Sequence, residues 1–303
     1  MLLSIIVPTR NRLPSLKRLM ESFDALRIPE RSELEILVVD NDSNDGTSVW
    51  LRDECQRSRN FRLFVLRETS PGKASALNRG IAATKGDYFL ILDDDVIVDS
   101  QLLVRHLDCY RTQPFEALQG RILPGVDAEG QPADPERLRE YNIPLIDYGD
   151  QYQEIFGLIG TNMSFKRAVI DKVGLFDPRL GPGASGFSED TEFSARIRTA
   201  GFKIGYTPHA IVYHELDPVR YGRSYNRKVE YQKGLSRSIY RKDSLAFRVI
   251  PYLLINCTRF CLYSVFGRTE KSYVTEGRIL KCWGQIVGAL RLRRNVNEPH
   301  EQR

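Results

Sequence analysis

Short apolar runs alternate with amphipathic stretches through the first hundred residues, and this alternation restricts the fold more than any other feature. The runs are rich in β-branched and aromatic residues, whereas apolar residues between them recur with helical spacing. Strand–helix–strand repetition of this length predicts a parallel sheet with helices on both faces, and therefore an α/β fold. The predicted strands are 2–7, 34–39, 61–66 and 88–92, and the predicted helices are 13–26, 47–56 and 74–84.

Beyond residue 99 the alternation becomes irregular, and it resumes at 156–165. A helix is predicted at 189–200, followed by strands near 202–206 and 210–214, and the chain has a helical pattern from residue 225 onwards. We therefore predict an α/β domain at 1–217, with halves at 1–98 and 99–217. A helical extension is predicted at 218–303.

Charge is distributed unevenly between these two parts. The extension contains 18 Lys and Arg against 6 Asp and Glu, a net charge of +12, whereas residues 1–217 contain 26 and 33, a net charge of −7. The acidic part, 1–217, could hold a metal ion and a substrate, and the basic extension could meet an anionic surface. No sequence motif for reading nucleic acid is present, so we expect no nucleic-acid partner.

Cysteine usage and the start of the chain both indicate a cytoplasmic protein. The five cysteines include no Cys-x-x-Cys pair, so neither a disulfide framework nor a zinc site is predicted. The first apolar run has only six residues, no basic segment precedes it, and a basic loop follows it, so we expect no signal peptide.

Polar and charged residues follow the predicted strands at the point where each strand ends. Arg10 and Arg12 follow the first strand, Asp40 closes the second, and an aspartate triplet begins at Asp93 after the fourth. In a parallel sheet, ligands bind at the carboxyl ends of the strands. We therefore expect these side chains to form one site.

The triplet Asp93–Asp95 indicates a bound cation. Adjacent like charges raise one another's pKa unless a cation neutralises them. Mg²⁺ and Mn²⁺ fit because they take carboxylate oxygens and complete their shell with phosphate and water. The alternative interpretation is a solvated acidic cap that forms a turn.

Four ordered motifs make the chain resemble a known family. They are SIIVPTRNR, LVVDNDSNDGT, PGKASALNRGI and GDYFLILDDDV, and weaker similarity continues through GTNMSFKR, GFSEDTEFSARIRTAGFKI and VYHE. In order and spacing they resemble the inverting family-2 glycosyltransferases, whose fold is called GT-A. The resemblance implies a nucleotide-binding half at 1–98, an acceptor half at 99–217 and a Mn²⁺ or Mg²⁺ cofactor.

The resemblance also implies which residues hold the donor, a nucleotide-diphosphate sugar. The base and diphosphate would lie near the loop after the first strand, Asp40 would bind the base, and Asp94 would lie near the ribose. Asp40 could instead cap a turn, and Lys73 could be an ordinary solvated lysine. The implied donor-binding residues are Pro8, Thr9, Arg10, Arg12, Asp40, Lys73, Asp93 and Asp94.

Metal and catalytic roles follow from the same resemblance. Asp95 would ligate the metal, Asp93 would support it, and His214 would complete the shell, although a lone histidine is more often structural. Asp190 would be the base that takes the acceptor proton, with Glu189 as the alternate. Both acids could instead serve the helix start, with Ser188 as an N-cap.

The expected function is therefore metal-dependent transfer of a sugar, with inversion, to an unidentified saccharide or lipid-linked acceptor. Synthesis of cell-surface polysaccharide or glycolipid is the expected context. One alternative is a non-catalytic module that binds nucleotide sugars in a membrane-associated complex. The other is a sugar nucleotidyltransferase, which would be expected to carry a glycine-rich loop where this chain has PTRNR.

The most apolar part of the extension lies between Arg248 and Phe266. Its longest uncharged run, 249–258, has ten residues, whereas about twenty are needed to span a bilayer, so no transmembrane segment is predicted. Apolar residues beside Arg248 and Arg259 predict a helix in the membrane interface, drawn to anionic headgroups. This places the protein peripherally on the inner face of the cell membrane. The alternative is that these residues pack on the catalytic domain or on a second subunit.

Overall fold

The computed structural model describes residues 1–126, 131, 145–217, 220 and 222–297, with side chains as far as residue 293. The described residues form two compact units. The first contains residues up to 178 and from 189 to 217. The second contains 179–188 together with the residues from 220 onwards, so the division falls near the predicted boundary at 217 but moves one loop into the second unit.

The first half of the α/β unit follows the predicted alternation closely, and the expected α/β fold is confirmed. Each strand has apolar side chains on both faces, as a sheet covered on both sides requires. The elements are β1 (Leu2–Thr9), α1 (Leu13–Phe23), β2 (Glu33–Asp40), α2 (Thr47–Glu54), β3 (Arg62–Arg67), α3 (Lys73–Ala82) and β4 (Tyr88–Leu92).

The second half of this unit continues the same sheet. Its elements are β5 (Val96–Val98), α4 (Leu102–Thr112), β6 (Ala117–Pro124), β7 (Gln153–Glu154), β8 (Asn162–Lys166), α5 (Arg167–Val173), α6 (Glu189–Thr199) and β9 (Ile204–His214). The strand order is β3-β2-β1-β4-β8-β6-β9-β5, with β7 paired to β9. Strands β1 to β4 are parallel, whereas β8 runs antiparallel to both β4 and β6.

Neighbouring residues of β1 supply two separate hydrophobic cores. Ile5 packs with Leu16 of α1 on one face of the sheet, and Ile6 packs with Leu77 of α3 on the other. A side chain at Gly80 would place its Cβ 2.6 Å from Ile6, so glycine allows α3 to approach the sheet closely. Helices cover both faces of the sheet, and in such sheets ligands bind at the strand ends.

The structure differs from the sequence prediction where regularity is lost. Helix α4 and strand β6 were not recognised, and the two strands predicted near 202–206 and 210–214 are one strand, β9. The register between β6 and β9 shifts after Gly120, which pairs with Thr207, whereas Arg121 pairs with Ile211. Pro208 therefore lies in a bulge, where a residue without an N–H group does not interrupt the ladder.

A buried histidine connects α4 to β8. Its ring nitrogens lie 3.1 Å from Oδ1 of Asn162 and 3.0 Å from Oγ of Ser164. Burial lowers the pKa of His106 to about 4, below its ordinary value of 6.5. Between pH 6.5 and pH 4, His106 therefore binds a proton in the unfolded chain but not in the folded chain. Its contribution to the free energy of unfolding is complete above pH 6.5 and is lost as the pH falls towards 4.

Because of His106, we expect the free energy of unfolding to be about 3 kcal/mol lower at pH 4 than at pH 7. Urea denaturation at both pH values would measure the loss in the native protein and in His106→Gln. The variant should lose about 3 kcal/mol less across this range, because its side chain does not titrate. An equal loss in both proteins would contradict the assignment.

The second unit is helical where it is described. It contains α7 (Gly222–Tyr240), a π-helical turn (Leu245–Val249), α8 (Ile250–Val265) and α9 (Thr269–Asn297). Helices α7 and α9 pack at small residues, since a Cβ at Gly234 or Gly284 would lie 2.1 Å from a backbone oxygen of the facing helix. All five cysteines are free thiols.

One helical segment in this unit is longer than the uncharged run from which we predicted no transmembrane segment. The π-helical turn and α8 are continuous, and by length and composition the segment Leu245–Val265 could cross a bilayer. The longest uncharged run within this segment, 249–258, has only ten residues. The helix is longer because it continues through Arg248 and Arg259.

Candidate functional site

The carboxyl ends of β2, β1 and β4 lie side by side, as the sequence predicted for a single site. Thr9 and Asp40 are register partners at the ends of β1 and β2. Thr9 Oγ1 donates a hydrogen bond of 2.7 Å to Asp94 Oδ2, directly after β4. Asp40, Asp94 and Asp95 are all buried. Parallel strands thus bring residues distant in sequence to one edge of the sheet.

Asp94 and Asp95 share one arginine. Arg12 Nη1 lies 2.5 Å from Asp95 Oδ2 and 3.8 Å from Asp94 Oδ1. Burial, followed by the charge of Asp95, raises the pKa of Asp94 to about 7 even though Arg12 acts in the opposite direction. One guanidinium therefore does not neutralise the pair, and a further cation would stabilise both carboxylates.

His214 faces Asp95 in a geometry that suits a cation. His214 Nδ1 lies 2.7 Å from the backbone oxygen of Glu215. A carbonyl oxygen only accepts, so Nδ1 carries the proton, and in the neutral ring Nε2 presents a lone pair. That Nε2 lies 3.5 Å from Asp95 Oδ1. An imidazole nitrogen and a carboxylate oxygen at this distance could both bind one cation.

The donor chemistry of this pair fits a divalent ion. Among the described residues, no three His, Cys, Asp or Glu side chains form a complete metal site. Asp95 and His214 supply one carboxylate oxygen and one imidazole nitrogen, and Mg²⁺ or Mn²⁺ commonly completes its shell with water and substrate phosphates. The pair therefore suits an ion that also binds a diphosphate.

A clamp that the sequence did not indicate holds His214 in place. Arg18 of α1 makes two hydrogen bonds, of 2.5 and 2.8 Å, to the carboxylate of Glu215, and Ser15 donates another of 2.7 Å. The backbone N–H of Glu215 donates a hydrogen bond to the backbone oxygen of Asp95. Glu215 belongs to the VYHE motif, but nothing in the sequence marks Arg18 as its partner. The clamp fixes the end of β9 beside the triplet.

A second cluster surrounds Lys73 at the start of α3. Lys73 Nζ bonds to Asp93 Oδ1 and lies 3.9 Å from Glu189 Oε1. Burial lowers the pKa of Lys73, but the charges of Asp93 and Glu189 outweigh it and the net shift is upward. Lys73 is therefore a partly buried, charged link between the triplet and α6, rather than a solvated lysine.

Asp93 belongs to this second cluster. Its Oδ2 accepts a 2.8 Å hydrogen bond from Thr161, while Oδ1 binds Lys73. Gly160 adjoins Thr161, and a Cβ there would lie 2.9 Å from Lys73 Nζ. Thr161 and Gly160 were not singled out from the sequence, although both lie in the GTNMSFKR motif. The metal role of Asp93 stays a prediction.

Glu189 and Asp190 lie side by side at the start of α6. Asp190 Oδ2 accepts a long hydrogen bond of 3.4 Å from Gly160 N, and Oδ1 accepts one of 2.6 Å from Thr191 N. Burial and the charge of Asp190 raise the pKa of Glu189 to about 7, and burial also raises the pKa of Asp190 against the effect of Lys73. Ser188 has a φ of 78°, unlike the extended backbone of a usual N-cap.

The loops after β1 and β2 contain the remaining predicted donor residues. Asp40 accepts hydrogen bonds from Ser43 N and Ser48 Oγ, so in this structure it closes its own loop. Its role in binding the base stays a prediction. Pro8 is buried within β1, whereas Arg10 is exposed beyond the end of the strand.

Comparison with known proteins places this chain in a family. The model of glycosyl transferase family 2 matches residues 4–174, which is more than half of the chain. The poly-beta-1,6-N-acetyl-D-glucosamine synthase of Staphylococcus epidermidis is 24% identical over 237 residues, covering 77% of this chain and 54% of the synthase. The succinoglycan biosynthesis protein ExoM of Rhizobium meliloti is 27% identical over 229 residues, covering 74% of this chain and 70% of ExoM. This chain therefore spans about half the length of the staphylococcal relative.

Solved structures show the same fold at low identity. The mannosyltransferase PcManGT of Pyrobaculum calidifontis, in complex with GDP-Man and Mn²⁺, superposes with a TM-score of 0.63 at 16% identity, covering 95% of this chain and 86% of that one. Residues 1–349 of TarS from S. aureus, in complex with UDP-GlcNAc, superpose with a TM-score of 0.53 at 15% identity, covering 97% and 92%. The GT-A fold expected from the motifs is confirmed, and the chain belongs to glycosyl transferase family 2.

Proposed function

We propose that the protein transfers a sugar, with inversion, from a nucleotide-diphosphate donor to the hydroxyl group of an acceptor in polysaccharide synthesis. The observation that carries this proposal is the position of Lys73, a partly buried lysine. It joins the triplet, through Asp93, to the acidic pair on α6, through Glu189. A site for the leaving diphosphate and a candidate base thus share one charged link.

Donor binding is assigned to the edge formed by β1, β2 and β4. Arg12 lies against the triplet and carries the positive charge that a diphosphate needs. Asp94, held by Thr9, would accept from the ribose, and Asp40 would accept from the base. Pro8, Thr9 and Arg10 would line the same loop.

A divalent ion held by Asp95 and His214 would stabilise the negative charge of the departing nucleoside diphosphate as a Lewis acid. The clamp between Arg18 and Glu215 would keep His214 oriented for that role. Lys73 would supply further positive charge near the triplet. These assignments concern Mn²⁺ and Mg²⁺, the ions that suit this donor set.

Asp190 is assigned as the general base. In the transfer, the acceptor oxygen forms a bond to the anomeric carbon as the bond from that carbon to the diphosphate oxygen breaks, and the hydroxyl proton passes to the Asp190 carboxylate. A raised pKa makes a carboxylate a better base near neutral pH. Glu189 is the alternate, but its side chain already faces Lys73.

The relatives support a saccharide acceptor. Two of them are a poly-beta-1,6-N-acetyl-D-glucosamine synthase and a succinoglycan biosynthesis protein. A lipid-linked saccharide is the second form of acceptor that we propose. We assign the protein to the cytoplasm, peripherally associated with the inner face of the cell membrane through its basic second unit.

The proposal is tested by incubating the protein with GDP-linked and UDP-linked sugars and acceptor extracts, with and without Mn²⁺. We expect release of nucleoside diphosphate from one donor class, together with sugar transfer, only when the metal is present. Metal-dependent donor binding without turnover would identify a non-catalytic binding module. Formation of a nucleotide sugar from a sugar phosphate would identify a nucleotidyltransferase.

A further inference from the structure

The continuous helical segment Leu245–Val265 presents apolar side chains on the side opposite its packed face. Val249 and Asn256, seven residues apart, are buried against the rest of the second unit. Phe247, Leu254 and Val265 are separated by seven and eleven residues, close to two and three helical turns, and they are 90%, 62% and 80% exposed. A surface helix usually turns its polar face outwards, and this segment does the reverse.

Beside this segment lies a groove of about 630 Å³ between it and helices α7 and α9. Its lining includes the apolar residues Phe247, Tyr252 and Ile255. It also includes four cations and two acids, namely Arg237, Arg248, Arg278, Lys281, Glu230 and Asp243. A groove lined by both apolar and cationic side chains matches an amphiphile with an anionic headgroup.

The acids in the groove are already engaged by cations. Asp243 is paired with Arg237 and Arg248 at 3.1 Å, and Glu230 is paired with Lys233 at 2.7 Å. Burial lowers the pKa of Lys281. The charge of Glu230 acts in the opposite direction, and the smaller effects of Lys233 and Arg237 add to the lowering. The groove therefore has an excess of positive charge, which an anion would relieve.

We propose that this apolar face and groove form a membrane-docking site, in which Phe247, Leu254 and Val265 enter one leaflet while Arg278 and Lys281 bind the phosphate of an anionic phospholipid. The proposal rests on the membrane location proposed above, but it does not depend on the transfer chemistry. The helix lies in the interface rather than spanning the bilayer. Arg259 lies about one turn from the middle of the segment and would be costly in the hydrocarbon core, whereas Arg248 and Arg259 suit the headgroup region.

Flotation of the full chain with vesicles tests this site. We compare phosphatidylcholine vesicles with vesicles that also contain phosphatidylglycerol. The double variant Arg278→Gln/Lys281→Gln should bind anionic vesicles about 30-fold more weakly, since each basic residue near an anionic surface contributes about 1 kcal/mol. Its weak binding to neutral vesicles should not change. The control Arg105→Gln/Lys172→Gln removes the same charge from exposed positions on α4 and α5 and should bind like the native chain.

The apolar face is tested separately with Leu254→Ser/Val265→Ser, which should lose binding to both kinds of vesicle. Equal binding by all variants would overturn the proposal. Resistance to alkaline extraction would show a spanning helix instead, and a dimer that Leu254→Ser/Val265→Ser converts to monomer would show that a second copy covers this face. Donor turnover without vesicles should be unchanged in every variant, so failure of the docking site is distinguishable from failure of the proposed enzyme activity.

Discussion

Replacing Asp190 with asparagine should reduce sugar transfer by 10²- to 10⁴-fold, the range attributed to a positioned general base, while leaving donor binding nearly unchanged. Asparagine has the same shape and retains an oxygen that can accept from Thr191 N or Gly160 N, so the start of α6 should keep its structure. It lacks the carboxylate that would take the proton. Calorimetric titration with donor and Mn²⁺, beside a transfer assay, measures the two effects separately.

The matched control is Glu192→Gln on the same helical turn. Glu192 pairs with Arg196 at 2.7 Å, and we assign it no part in the chemistry, so its transfer rate should stay close to that of the native protein. Glu189→Gln distinguishes the two candidate bases, because it should keep more activity than Asp190→Asn. Full activity in Asp190→Asn would remove this residue from the base role.

The pH dependence of transfer gives a second check on the same assignment. The base acts only when it is deprotonated, so the rate should rise with pH through the apparent pKa of the acidic pair. Burial raises the pKa of both residues, to about 7 for Glu189. The acidic limb should therefore lie above the ordinary carboxyl values of 3.8 and 4.5. A limb at those ordinary values would contradict a buried base.

The position of the site at the strand ends could be predicted from the sequence. Parallel strands run in the same direction, so their carboxyl ends lie at one edge of the sheet. Once β1, β2 and β4 were recognised from their apolar runs, Thr9, Asp40 and Asp94 had to meet at one edge. For such residues, the local pattern of apolar residues is sufficient to predict their position. It failed at Pro208, where a bulge keeps one strand continuous through a residue that normally ends strands.

Residues whose roles depend on distant contacts could not be predicted in this way. Arg18 and Glu215 are 197 positions apart, and only the folded sheet brings them together. Lys73 resembles a solvated lysine in sequence, and its burial between Asp93 and Glu189 depends on the small residue at Gly160. The continuous helix through Arg248 and Arg259 was likewise concealed, because arginine interrupts an apolar run without interrupting a helix.

The second large effect is expected at the cation site, where Asp95→Asn should lower metal-dependent donor affinity by about 100-fold or more. Losing even an outer-shell partner of a metal typically costs 10- to 100-fold, and Asp95 is assigned as a direct ligand. The variant should also lose the increase in melting temperature that Mn²⁺ and nucleoside diphosphate give the native protein, since a ligand stabilises only the state that binds it. This second measurement does not depend on turnover.

Two further substitutions decide whether His214 and Asp93 hold the ion together with Asp95. His214→Gln should reproduce the loss seen with Asp95→Asn, because Nε2 of His214 lies 3.5 Å from Asp95 Oδ1. Asp93→Asn should keep the Mn²⁺-dependent stabilisation while slowing transfer, since both Asp93 oxygens are held by Lys73 and Thr161. Loss of stabilisation in Asp93→Asn would make Asp93 a ligand as well. Persistence of the Mn²⁺ effect in both Asp95→Asn and His214→Gln would place the cation elsewhere, and the electrostatic basis of the donor site would then have to be sought away from this pair.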